Sequence, residues 1–515
     1  MEKSLIHKTN SAIKYTFIFK TLSMGLGGVA SILIVRALSE FDYGVYNLLY
    51  SVIGLTGMIA SLGIGNTLQR FIPEYYQKGE FRIAHNLYRA TSLLRLMTNI
   101  VILGLTLIFW QQISPLIKLT EYKHYFMLFT LVIFLHKQRN MLEICLASYF
   151  LHKYSKGIGC IFSFIKIIGY GTIILLEKNL WFAIITDLSA YLIAFVILQI
   201  LYIYKIPYSI GSLDRFSKNE KKRIAKYAIF YNFNDAGVGF LGAHFDNFII
   251  AIFLNPVAVG AYSFCRSLTY LIESLLPCSY FIEVIRPAFF SAGTSSNNQN
   301  FTPFFQSYMK VNALFSIPCF FFLLIHSKNI IAIIYNGKFI TYSAVLSVMF
   351  FFSVINSFAF PVELIAQLKE KADIFLYSKI FAVYNIIADI LLINLFGIWG
   401  AVFATETAIL GKNLFIWYFI KKDANFRGME RFFLKSFVFW ILISIFTYYI
   451  NIFIVHTLLE LLLGILIFAA AFFIQFNCNY FSKNEKKAYE KIANNNSKIA
   501  FIFKIFKMLP DQHTN

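Results

Sequence analysis

The sequence predicts an all-α polytopic membrane protein of about fourteen transmembrane helices. They form two pseudo-symmetric six-helix lobes around a central cavity, with two further helices at the C-terminal end. Three observations carry this prediction. At 58% hydrophobic residues over 515 positions, with a mean hydropathy of +0.65, the chain is too apolar for a soluble globular protein. The apolar residues come in runs of twenty or more, long enough to cross a hydrocarbon core of ~30 Å. The third observation is an internal duplication. Gly44-Val45-Tyr46 returns as Gly260-Ala261-Tyr262, at an offset of 260 − 44 = 216. Trp181-Phe182-Ala183-Ile184 returns as Trp399-Gly400-Ala401-Val402, with 399 − 181 = 218, and Arg70 and Arg286 stand 216 apart.

The first lobe (1–204) takes segments of roughly 13–38, 43–70, 92–111, 122–150, 158–176 and 180–204. Lys3, Lys8 and Lys14 precede the first segment, which is too long for a signal peptide and lacks an A-x-A-like end, so it reads as an uncleaved helix. Ser39 to Asp42 breaks the chain before the second, Pro115 follows the third, and Gly157 opens the fifth. A basic linker (205–226) leads to the second lobe (227–420), with segments of roughly 227–253, 257–290, 304–326, 339–367, 374–395 and 398–420. Pro256 and Gly397 mark its turns. Two more segments, roughly 432–453 and 457–477, have no counterpart in the first lobe. In the tail (478–515), Lys498 to Met508 is too short to span and is studded with lysines, which suits an amphipathic helix lying on an anionic leaflet.

The net charge of +20 lies in alternate loops, from Arg70 to Arg89, through the linker, to Lys421 to Lys435. This is the pattern of the positive-inside rule, and it places both termini in the cytoplasm. No soluble domain exists to bind nucleic acid. The other set of loops is short, the longest running from about His326 to Lys338. Six cysteines are scattered without a CxxC pair and read as small buried hydrophobes. There is no GxxxxGK[ST] phosphate loop, no HExxH and no DxD, so enzymatic and metal chemistry have no visible site.

The fourth segment carries the strongest candidates. Its apolar start, 122–135, has only fourteen residues, so the helix must continue through His136-Lys137-Gln138-Arg139-Asn140 to Glu143 and beyond. A charge near the bilayer middle costs at least ~2.5 kcal/mol. At ~100° per residue, Arg139 and Glu143 lie about 40° apart, flanked by His136 and Asn140. Lys137 falls on nearly the opposite face, where truncation should be mild. Arg139 and Glu143 either face a polar cavity or merely neutralise each other within the helix. Glu363 matches Glu143 in the second lobe (363 − 143 = 220). Asp235, Gly239, Gly242 and Asp246 form a stripe on segment seven, as Lys20, Ser23, Gly27 and Ser31 do on segment one. Small residues on a stripe serve close packing, but an intramembrane Asp asks for more. Lys166, Asp187, Arg266, Glu273, Asp389 and Glu406 are further buried candidates.

The stretch Arg36-Ala-Leu-Ser-Glu-Phe-Asp-Tyr-Gly-Val-Tyr46, then Leu62-Gly63-Ile64-Gly65-Asn66 running into Arg70-Phe71-Ile72-Pro73-Glu74, resembles the bacterial polysaccharide (O-antigen, Wzx-type) flippases. Asp246 to Ile250 and Val259 to Ser263 are similar to that family's seven–eight junction. These motifs mark a superfamily shared with multidrug extruders and lipid II flippases. The resemblance implies a MATE-like bundle in the bacterial inner membrane and alternating access, without a cofactor. It also implies a polyprenyl-diphosphate-linked oligosaccharide as cargo and H⁺ or Na⁺ as the coupling ion. Membrane lipids and other polysaccharide-assembly membrane proteins are the partners it implies. On that reading Arg139, His136, Asn140, Glu143, Lys20, Arg266 and Glu363 meet the substrate, and Asp235 and Asp246 handle the ion. The rivals are a drug/cation antiporter, separated by the sign of the cavity charge, a lipid II flippase of the same superfamily, and a membrane polysaccharide polymerase or ligase, which the short outer loops disfavour.

Overall fold

A computed structural model describes residues 2–60, 62–149, 151–206, 217–239, 242–276, 302–369, 371–422, 429–478 and 486, with the side chains of 2–17, 56–60, 230–231 and 233–238, among others, excepted. Every described element is a helix or a turn. In the first half these are α1 (Glu2–Ala37), α2 (Glu40–Ala60), α3 (Ile64–Gln77), α4 (Phe81–Ile108), α5 (Trp110–Leu116), α6 (Lys123–Ser148), α7 (His152–Leu175) and α8 (Leu180–Lys205). Then come α9 (Lys218–Gly239), α10 (Ala243–Phe253), α11 (Pro256–Leu275), α12 (Thr302–Ile334), α13 (Ser343–Ser357) and α14 (Phe360–Leu368). The last are α15 (Ala372–Tyr377), α16 (Ile380–Phe396), α17 (Ile398–Ile420), α18 (Glu430–Ile452) and α19 (Thr457–Asn477). Each of the fourteen apolar segments maps, over its described residues, onto one helix or a broken pair, and nine described stretches are long and apolar enough to cross a membrane. Arg286 and the tail segment 498–508 lie outside the described residues.

Packing divides the chain into two compact units, Met1–Ser263 with Asp389–Ala401, and Phe264–Ala388 with Val402–Asn515. This division follows contacts, so α9 and α10 join the first unit although the sequence repeat begins at 227. In the first unit, α1 runs along α7, α6 packs on α7 and α8, and α2 lies against α10. The stripe on α1 is explained by that pairing: a methyl on Gly159 would sit 3.0 Å from Ser23 Oγ, and one on Gly27 3.9 Å from Ser163 Oγ. Small side chains here let two backbones approach. In the second unit, α12 packs on α13, α18 and α19.

The structure departs from the sequence reading at several breaks. Segment two is split at Leu62 and Gly63 (φ +45° and +62°), because the carbonyl of Ala228 in α9 occupies the space a side chain on Gly63 would take. Segment seven breaks between Gly239 and Ala243, and segment ten at Phe358 and Ala359. The loop expected from His326 is shorter than read: α12 continues to Ile334, and His326 is wholly buried where Gly464 of α19 leaves room for its ring.

The duplication has a physical signature at two helix starts. Ser39 Oγ accepts from the Asp42 N–H (3.0 Å), and Asn255 Oδ1 accepts from the Ala258 N–H (2.9 Å). These N-caps stand 255 − 39 = 216 apart, the offset of the glycine motif. The capped turns meet each other. A methyl on Gly260 would come within 3.0 Å of the Glu40 carbonyl and 3.1 Å of the Gly44 nitrogen, while one on Gly44 would run into the Pro256 backbone. A residue touching its own duplicate is what a pseudo-twofold axis through that point requires. Gly44→Ala is therefore expected to cost about 1–3 kcal/mol through overpacking and to lower the melting temperature in detergent more than Gly260→Ala. Gly104→Ala, with open space around it, should be neutral or slightly stabilising. Equal melting temperatures for Gly44→Ala and Gly104→Ala would contradict the crossing.

Candidate functional site

The polar run of α6 lies inside the first unit. Arg139 Nη2 meets Glu143 Oε1 at 2.6 Å, one turn along the helix. The guanidinium lies over the Phe162 ring (4.0 Å to its centre) and beside Tyr191 (5.7 Å). Stacking on a ring face leaves the in-plane donors of Arg139 usable, and its buried Nε has no hydrogen-bond partner among the described residues. His136 Nδ1 contacts the Tyr191 hydroxyl at 3.1 Å. Lys137 differs from its reading. It is buried, and its Nζ donates to the Ile53 carbonyl of α2 at 2.6 Å, so truncation there strands a tertiary hydrogen bond rather than trimming a surface. Asn140 is exposed on α6, and Lys20 is half-buried on α1.

Beside Arg139 stands a second cation. Lys166 of α7 pairs with Asp187 of α8 at 2.8 Å and lies 5.0 Å from the centre of the same Phe162 ring. Asp187 is fully buried and receives hydroxyls from Tyr46 (2.7 Å), Tyr50 (2.7 Å) and Tyr170 (2.6 Å). Four donors on one carboxylate keep its charge in a dry interior. Arg95 of α4, 8% exposed, completes the cluster, and its Nη1 has no partner among the described residues. Arg95, Lys137, Arg139 and Lys166 all act electrostatically on His136. Among the described side chains, these four basic residues stand with two carboxylates, Glu143 and Asp187. Reading the sequence missed the tyrosines and Arg95. A signal existed for the first: Tyr46 and Tyr50, Lys166 and Tyr170, and Asp187 and Tyr191 each stand four apart, one helical turn.

The remaining candidates lie elsewhere. Asp246 of α10 is fully buried, accepts from Tyr262 Oη at 2.5 Å and lies within interaction range of the carboxyl of Asp389 on α16. The side chain of Asp235 lies outside the described residues. In the second unit Arg266 pairs with Glu406, and Glu363 pairs with Lys412 at 3.1 Å. Ser353 donates to Glu273.

Fold and site together define a multi-pass helical membrane protein with charge compensated deep in its bundles. The chain belongs to the polysaccharide biosynthesis protein family, whose family model matches residues 12–293. Among curated proteins no sequence matches it. Its fold is similar to that of the lipid II flippase MurJ in an inward closed conformation (TM-score 0.66, 16% identity, covering 90% of this chain and 98% of that one). It is also similar to an inward-facing MATE family multidrug resistance transporter of the MOP superfamily (TM-score 0.61, 14% identity, covering 80% and 100%).

A separate ionic contact ties α3 to the start of α9, outside the long apolar stretches. Arg223 donates to both oxygens of Glu74, at 3.1 and 2.9 Å, while Arg70 and Lys78 each lie 3.0 Å from the same carboxylate. The Arg223 fork, helped by Lys78, holds the Glu74 carboxyl down at about 2 against an ordinary 4.5. Because the folded value is the lower one, the clasp contributes in full above pH about 4.5 and is lost as pH falls toward 2. Hydrogen exchange in the first turns of α9 should accordingly rise over that window. Glu74→Gln should show the raised exchange already at neutral pH. Identical exchange in wild type and Glu74→Gln would remove the clasp.

Proposed function

We propose that this protein is a flippase. Its cargo is a polyprenyl-diphosphate-linked oligosaccharide, an O-antigen, capsule or exopolysaccharide repeat unit, moved by alternating access across the bacterial inner membrane with both termini cytoplasmic. The observation that carries this reading is that basic side chains outnumber acidic ones among the described residues of the α4–α6–α7–α8 cluster. A diphosphate cannot enter hydrocarbon unaided, and fixed cations replace its water while the prenyl chain stays in lipid. A site for a cationic drug would call for the opposite sign. The fold-sharing MurJ is a lipid II flippase by name, which supports a lipid-linked cargo. Arg139 and Arg95 are the residues this reading assigns to the phosphates, since a planar fork matches phosphate oxygens better than a point charge.

Arg139→Ala or Arg95→Ala should cut surface glycan about 10- to 100-fold in a strain lacking the native gene, as loss of a charge-assisted hydrogen bond of roughly 1.5–3 kcal/mol implies. Arg139→Lys should restore export only in part. Membrane levels on a blot separate transport from expression. If Arg139 only neutralises Glu143, the double change Arg139→Ala with Glu143→Ala regains full export, and Arg139 leaves the substrate site.

Ion coupling, in the same reading, runs through Asp246 with Asp389, a pair able to give up and regain a proton. Asp246→Asn should abolish the dependence of transport on an H⁺ gradient in proteoliposomes at unchanged protein level. An unaltered gradient response, or one that follows Na⁺ instead, moves the coupling site elsewhere.

A further inference from the structure

The second unit contains a cavity of about 370 Å³ that none of the foregoing assigns, at the lower end of the ~300–1,000 Å³ found for small-molecule sites. Its wall combines three kinds of group. Side-chain amides and hydroxyls come from Asn312 of α12, Ser353, Asn356 and Ser357 of α13, and Asn413 of α17. Aromatic rings come from Tyr308, Phe350 and Phe360, with Tyr308 and Phe360 inclined at 5.6 Å. Two carboxylates, Glu273 and Glu363, stand with one cation, Lys412.

The amides are held in place. Asn356 donates to Glu406 (3.0 Å), which Arg266 pins from its other oxygen; Asn413 donates to Asn356 (3.1 Å), and Asn312 to Ser357 (2.6 Å). Fixed amides cost a ligand little ordering on binding. One acceptor is left over: Asn413, 8% exposed, has an Oδ1 with no partner among the described residues. Lys412 is engaged by Glu363, whereas Glu273 accepts from the Ser353 hydroxyl and feels Arg266, already paired with Glu406, only as a neighbouring charge.

We propose that this cavity binds a neutral or amino-bearing sugar residue, and that in the transported molecule it receives part of the glycan. The part about transport rests on the flippase reading; the binding itself does not. A pyranose ring has the matching chemistry, with hydroxyls round its edge for amides and carboxylates and C–H faces for aromatic rings. Fixed donor–acceptor pairs discriminate between hydroxyl patterns because a wrong epimer leaves them unpaired. The carboxylate of Glu273 tolerates a neutral sugar, attracts a protonated amine and repels a uronic acid.

The test measures binding without transport. Full-length protein in nanodiscs is presented with neutral tetrasaccharides (malto-, manno- and chitotetraose), the amino tetramer of glucosamine and the acidic tetramer of galacturonate, by saturation-transfer difference NMR. At least one neutral or amino probe should receive saturation and the acidic one should not. Asn413→Ala should reduce the signal about fivefold or more. The isosteric Glu273→Gln, chosen because it preserves shape, should keep neutral binding and lose the preference for amino over acidic probes. Gly104→Ala, outside the cavity wall and with open space around it, should bind sugars like wild type. Monodisperse elution of each variant guards against misfolding. No saturation of any neutral or amino probe, or equal saturation of the acidic one, overturns the sugar site. Export lost in Arg139→Ala alongside such a result would leave the flippase reading standing and remove only this inference.

Discussion

The constraint on which this molecule depends is the cost of charge in hydrocarbon. A carboxylate or ammonium placed alone near the middle of a bilayer costs at least ~2.5 kcal/mol. The described helices nonetheless carry Asp187, Asp246, Asp389 and Glu406 at 0–2% exposure. Asp187 shows how the cost is met. Lys166 neutralises it, and the hydroxyls of Tyr46, Tyr50 and Tyr170 saturate its oxygens. Those partners come from α2 and α7, so one carboxylate on α8 fixes the relative positions of three helices. Breaking such a pair on one side leaves an uncompensated charge, which is far costlier than never having had the pair.

The same logic gives the two units different chemistry. In the first, each carboxylate of the cluster has its cation, and among the described residues Arg95 and Lys137 are not paired with a carboxylate. In the second, Arg266 with Glu406 and Lys412 with Glu363 close on themselves, while amides and hydroxyls fill the spaces between.

Much of this was legible in the sequence because it depends on local chemistry and spacing. Run length required helices long enough to span, since backbone groups in lipid must be bonded within the helix. The recurrence of Gly44 at Gly260 showed a duplication, and the caps at Ser39 and Asn255 repeat it at the same spacing. Arg139 and Glu143, one turn apart on the same face, form the pair their spacing allows. The polar stripe of α1 had packing as its simplest explanation, and Gly159 and Ser163 of α7 supply it.

What only the tertiary structure decided is which distant groups meet. The face of Lys137 followed from helical phase, but that its ammonium reaches the Ile53 carbonyl depends on how α6 lies against α2. The break at Gly63 comes from a carbonyl 165 residues away in sequence (228 − 63), and no local pattern carries that information. His326 looked like the start of a loop until Gly464 opened a space for it. Asp246 and Asp389 stand 143 residues apart (389 − 246), and only the fold brings the two carboxyls within interaction range. Periodicity is a property of one helix and is written in its residues. The pairing of charges between helices is a property of their crossing, which the sequence determines only through the whole fold.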